Sequence, residues 1–225
     1  MYTLYIANKN YSSWSMRPWV LMRALGIDFQ EKQFQFTSSG GPDFHTFSPS
    51  GRVPCLHHGE MVVWDSLAII EYLAERHPGV WPSLAEARAW ARSATAEMHS
   101  GFGNLRNDCS MSVGVRVRMH RMSDALKAEL SRLQALWTEG LTRFGGPFLA
   151  GTRFTAVDAF YAPVATRIQT YGLPITGVAG DYAAMLLKQP AVAEWIEAGM
   201  RETWRDVPHE KDILAAGEVL QDFRA

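Results

Sequence analysis

Only two of the 225 residues are cysteines, and neither Cys55 nor Cys109 belongs to a metal or redox motif. Cys55 sits in an apolar stretch and reads as a small core residue. No His-x-x-x-His pair or Cys/His cluster is present, so no metal is expected. The Gly-x-Ser-x-Gly elbow of serine hydrolases is missing too. The charges nearly cancel, 22 basic against 23 acidic residues. That balance offers little to nucleic acid or to an anionic membrane surface. No apolar run reaches the about 20 residues of a membrane span. Met1 to Ala7 has no basic lead and no cleavage site, and reads as a strand and not as a signal peptide. A reducing cytoplasm is the expected compartment. There is no internal repeat and no low-complexity tract.

What is there is patterned in two halves. Tyr2 to Ala7 alternates as a strand. Met16 to Leu25 has helical spacing, with Pro18 in its first turn and Gly26 at its stop. Asp28 to Phe36 alternates again, and the helical crossover implies a parallel pair. Thr37 to Gly51 reads as a loop with one short helical turn. Val53 to His57 and Met61 to Trp64 form a hairpin, and Asp65 to Arg76 a helix. A proline-containing link, His77 to Ser83, follows. The rest is helical: Leu84 to Asn107, Asp124 to Phe144, Thr155 to Tyr171, Asp181 to Leu187 and Ala191 to Arg201. Thr155 and Asp158 have capping-box spacing. The polar tail from Asp206 is expected on the surface. The expected fold is α/β plus all-α: a β-α-β-β-β-α domain over residues 1–80, then a helical domain over 86–225.

Three segments carry candidate chemistry. Val53 precedes Pro54 and is pushed toward an extended conformation, and a backbone left out of a sheet can pair with a peptide ligand. Asp65 and Ser66 open a helix, whose free N–H groups favour a carboxylate. Ser12, Ser13 and Ser15 cluster where the first helix begins. One serine there is explained by capping. Three are explained less well, and a hydroxyl backed by a helix dipole can donate to an anion.

Taken together, these segments resemble the glutathione transferase family. Ser12-Ser13-Trp14-Ser15-Met16-Arg17 resembles its serine-type motif, with a serine five residues before an arginine. Val53-Pro54 resembles its cis-proline dipeptide, and the run from Asp65 to Leu73 its acid/Gln-Ser helix. Phe154 to Asp158 resembles the capping box of its second domain. The zeta class is nearest, although Trp14 stands where zeta has cysteine, Asp65 where it usually has Gln, and Arg52 where Gln or Lys is usual.

The resemblance implies a thioredoxin-like domain, a helical domain and a homodimer, with glutathione as co-substrate and a small electrophile. It implies that Ser12, or next Ser13, holds the thiolate. Val53 and Pro54 would meet the cysteinyl backbone, and Asp65 and Ser66 the γ-glutamyl end. Arg52, Lys9 or Gln33 would reach the glycyl carboxylate. Tyr11, Trp14, Met98, Phe102 and Arg106 would line the electrophile pocket, although a Met/aromatic stripe at helical spacing is more often core. Competing readings are a non-catalytic binding protein on the same fold and, last, a thiol-disulfide enzyme.

Overall fold

The computed structural model describes residues 1–225, apart from the side chain of Ser39. Strand β1 (Tyr2–Ala7) feeds helix α1 (Ser13–Ala24), which returns to β2 (Phe29–Phe34). The two strands are parallel, with Tyr2 opposite Phe29 and Ala7 opposite Phe34. Leu4 and Ile6 face inward and are fully buried, each contributing about 1.5–3 kcal/mol of apolar burial. Two single 3-10 turns, Thr37–Ser39 and Phe44–Thr46, occupy the link where one was expected.

Strands β3 (Cys55–His58) and β4 (Met61–Trp64) complete a sheet of order β2-β1-β3-β4. The ladder begins at Cys55, not at Val53 as the pattern predicts. Val53 is therefore outside the sheet, after which the Val53–Pro54 peptide is cis. Helix α2 (Ser66–Ala74) starts on Asp65, whose carboxylate accepts the Leu67 N–H at 2.8 Å. Asp65 holds φ at 75°, a strained value for a residue with a side chain.

The second half contains α3 (Ala85–Ser100), α4 (Gly103–Asp108), α5 (Asp124–Phe144), α6 (Ala156–Tyr171), α7 (Gly177–Leu187), α8 (Pro190–Met200) and α9 (Val207–Ala216). The single helix expected over Leu84 to Asn107 is broken. Gly101 is extended and Phe102 left-handed at φ 53°, so α4 leaves in a new direction. This half also carries a two-stranded antiparallel sheet, β5 (Val115–Met119) with β6 (Gly217–Asp222). The tail expected on the surface thus forms α9 and β6, with Asp206 and Ile213 buried.

Helix α6 is the centre of the second half. Asp158 accepts from the backbone N–H of Leu149 and Thr155 and from the Tyr182 hydroxyl, closing the capping box. One apolar cluster runs through both halves, with α1 packed on α6 and α8. Trp19 meets Trp195 edge to face at 5.2 Å across that seam. No helix among the described residues is long and apolar enough to cross a membrane.

Candidate functional site

A cavity of about 610 Å³ opens where the start of α1 faces the second half. Tyr11 and Ser12 line it from the β1–α1 loop, Ser13 and Trp14 from the first turn of α1, Arg52 and Val53 from the segment before β3. Arg106, Arg167 and His209 close it from α4, α6 and α9.

The loop that carries the serines is held by the other half. Glu202 accepts the N–H of Lys9 at 2.6 Å and of Asn10 at 3.1 Å, and binds Gln33 as well. Asn10 in turn accepts the N–H of Val113 at 3.0 Å. Lys9 pairs with Glu31 and lies over Trp19. Lys9 and Gln33 are therefore committed within the protein, which removes both as partners for a ligand carboxylate. Replacing Glu202 by alanine orphans two backbone donors and is expected to cost about 2 kcal/mol, read as a lower denaturant midpoint.

The two neighbouring serines differ. Ser12 caps α1: its oxygen accepts from Ser15 N, and its hydroxyl donates to Ser15 Oγ at 2.8 Å. Ser13 is the first helical residue, lines the cavity, and has no hydrogen-bond partner for its hydroxyl among the described residues. Tyr11 also lines the cavity, but its hydroxyl donates to Glu210 at 2.7 Å. Burial and then that bond raise it to about 12.

Arg17 is buried beneath the site. Its guanidinium stacks on Trp14 at 4.0 Å and Phe160 at 4.7 Å, and donates to Ser66 Oγ at 3.4 Å. Burial first, then Arg167 and Arg106, pull it down to about 9. Burial likewise lowers Arg167 to about 10, and its Nε donates to the Cys109 carbonyl. Arg106 donates to the carbonyls of Met98 and Gly101. Among the described residues none of these three forms an ion pair with a carboxylate. Arg17 feels the charges of Arg167 and Arg106, the latter two in the cavity wall, so positive charge is concentrated on this side of the cavity.

Two expected wall residues belong to the core instead. Met98 and Phe102 are 1% and 6% exposed and pack in the apolar cluster, because the helix breaks between them. Pro54, Asp65 and Ser66 also lie outside the cavity wall. Pro54 and Ser66 are buried, while Asp65 is exposed with Oδ2 3.4 Å from His99 Nε2. Burial lifts Cys55 to about 11 and Cys109 to about 12, so neither offers a thiolate at neutral pH.

Sequence reasoning missed Arg167, Asn107, Ser110, Met111, His209 and Asp212. Arg167 had a signal: an arginine within an otherwise apolar helical face. His209 had none, since the tail shows no pattern that folds it back.

The comparisons with known proteins accord with this arrangement. Residues 11–76 match the model for the glutathione S-transferase N-terminal domain, and residues 113–198 the model for its C-terminal domain. Glutathione S-transferase 1 of Dianthus caryophyllus is 27% identical over 180 residues, 76% of this chain and 79% of its own length. Maleylacetoacetate isomerase of Rattus norvegicus is 27% identical over 77% of this chain and 81% of its own. A solved Burkholderia glutathione transferase homolog with bound glutathione superposes with a TM-score of 0.66 at 23% identity. That match covers 88% of this chain and 97% of the homolog. A tau-class enzyme from mango gives 0.68 at 19% identity, over 96% and 98%. With family models matched in both halves and the expected two-part fold, the chain belongs to the glutathione S-transferase family.

Proposed function

We propose that the protein ionises the thiol of glutathione at the start of α1 and delivers it to a small, anionic electrophile. The observation that carries this reading is one cavity holding both a free hydroxyl at a helix N-terminus and two guanidiniums that form no ion pair with a carboxylate among the described residues, Arg106 and Arg167. A free thiol has a pKa of about 8.5, so only a few per cent is nucleophilic at neutral pH. A hydroxyl donor and the first-turn dipole both favour the charged form.

Ser13 is the better donor to the sulfur, because the Ser12 proton already serves Ser15. Ser12 shapes the turn that presents it. Val53, outside the sheet ladder, pairs with the cysteinyl backbone beside Pro54. Asp65, at the strained entry of α2, receives the γ-glutamyl ammonium, with the Ser66 N–H at the adjacent carboxylate. Arg52, exposed in the cavity wall, takes the glycyl carboxylate. Tyr11 and Trp14 shape the electrophile side. Trp14, fixed on Arg17, is a wall where the zeta pattern has cysteine, which favours conjugation over isomerisation. Residues 1–80 supply the glutathione half and 86–225 the electrophile wall, in a cytoplasmic homodimer.

The test is a pH titration of bound glutathione by thiolate absorbance. The thiol is expected to ionise one to two units below its free value. An unshifted titration of bound glutathione overturns the reading. Arg106→Met is expected to raise KM about tenfold for a carboxylate-bearing electrophile and to leave a neutral one unaffected.

A further inference from the structure

Helix α9 brings a carboxylate–imidazole pair into the cavity from the far end of the chain. Asp206 caps α9 and is 1% exposed. Its Oδ2 accepts from His209 Nδ1 at 2.5 Å, and its Oδ1 accepts from the Ser38 hydroxyl at 2.6 Å. The carboxylate is thus anchored to both halves of the molecule. The imidazole is confined between two rings, Tyr11 at 5.0 Å and Phe36 at 5.2 Å. His209 lines the same cavity as Ser12 and Ser13. With Nδ1 held by the carboxylate, Nε2 is the remaining polar atom of the ring. It has no hydrogen-bond partner among the described residues.

A histidine that serves only as a cap would need none of this. The helix already has its N-cap in Asp206, and the ring adds nothing to that function. A ring that lines the cavity, with a buried carboxylate on one nitrogen and the other nitrogen unpartnered, is the arrangement of an oriented general acid or base. The other charged groups around it have their own partners: Glu210 binds Tyr11 and Arg224, and Arg224 also binds Asp222. Asp212 completes the charged lining of that wall.

We propose that His209, held by Asp206, is the proton donor for conjugate addition of glutathione to an unsaturated carbonyl compound in this cavity. The step rests on the thiolate site proposed above. The sulfur forms a bond to the β-carbon, and the C=C π pair moves to the α-carbon and its carbonyl. The proton on His209 Nε2 passes to that α-carbon, which leaves a neutral imidazole. The proton released when the next thiol ionises restores it. Glutathione and the unsaturated compound account for every atom of the product. Aromatic substitution, by contrast, expels a halide and needs no proton at carbon. The dyad therefore selects between two electrophile classes that share one thiolate.

The experiment compares wild type and His209→Gln with an unsaturated ketone and with chlorodinitrobenzene, alongside thiolate absorbance of bound glutathione. The expected result is a fall in kcat of about a hundredfold with the ketone, the low end for general acid catalysis. Substitution on the chloroarene, which needs no proton, is expected to lose far less, and the thiolate absorbance reports whether the α1 site is intact. As a second variant, His209→Ala should regain ketone turnover when free imidazole is added. An equal loss with both electrophiles, or no loss with the ketone, overturns the proposal. So does an imidazole addition without effect, or a wild type that fails to turn over the ketone. A wild type that forms no thiolate removes the α1 reading instead, and the absorbance alone distinguishes that outcome.

Discussion

Replacing Asp158 by alanine is expected to lower folding stability by about 3–5 kcal/mol, enough to unfold many domains of this size. Asp158 is fully buried at the start of α6. Four donors end on it: the N–H groups of Leu149 and Thr155 at 3.0 and 2.9 Å, the Tyr182 hydroxyl at 2.9 Å and the Thr155 hydroxyl at 3.3 Å. Alanine removes all four acceptor contacts at once and leaves the donors without water. Each orphaned buried donor costs about 1–3 kcal/mol. Urea denaturation followed by tryptophan fluorescence checks this, and a loss below 1 kcal/mol is too small for the assigned role.

The same residue predicts a pH signature. Burial raises Asp158 from 3.8 to about 6, against the opposing pull of its hydrogen bonds. Between those values the folded chain binds more protons than the unfolded one. Its contribution to stability therefore declines as pH rises through that window. Asp158→Asn keeps one acceptor and removes the titration, so the slope from this group disappears.

The second large effect is on turnover. Ser13→Ala is expected to raise the pKa of the bound thiol by about one unit and to cut turnover below neutral pH about tenfold. One unit corresponds to 1.36 kcal/mol, the size of one hydrogen bond to a charged acceptor. Glutathione affinity should change little, because the tripeptide keeps its other contacts. Ser12→Ala should act differently. It removes the N-cap of α1 and costs about 1 kcal/mol of stability, with a smaller loss of turnover. Should Ser12→Ala abolish thiolate absorbance while Ser13→Ala leaves it intact, the two roles are exchanged.

Much of the fold was legible because local patterns agreed with the tertiary result. The alternation in β1, the Gly26 stop of α1 and the apolar spacing of α5 each predict an element that the structure contains, whereas Pro18, expected in the first turn, lies inside α1 because the helix already begins at Ser13. Capping is equally local: Asp65 starts α2 and Thr155 with Asp158 starts α6, within a few residues of where the pattern puts them. The break after Ser100 was not legible. Phe102 has no intrinsic preference for the left-handed region, and burial of its ring holds it there.

For the cavity, the sequence by itself determined the hydroxyl cluster at the start of α1 and Val53 before its proline, while Pro54 and Asp65, read from the same kind of motif, lie outside its wall. These are contiguous motifs whose geometry follows from neighbouring residues. Only the tertiary structure decided which serine keeps a free hydroxyl, since the Ser12–Ser15 bond depends on how the turn closes. Only it placed Arg106 and Arg167 around one cavity while sending Met98 and Phe102 into the core. And only it folded α9 back, so that His209 meets Tyr11 across nearly the whole length of the chain. Contacts so distant in sequence arise from packing and from hydrogen bonds such as those of the half-buried Glu202 carboxylate to the β1–α1 loop, which no local spacing encodes.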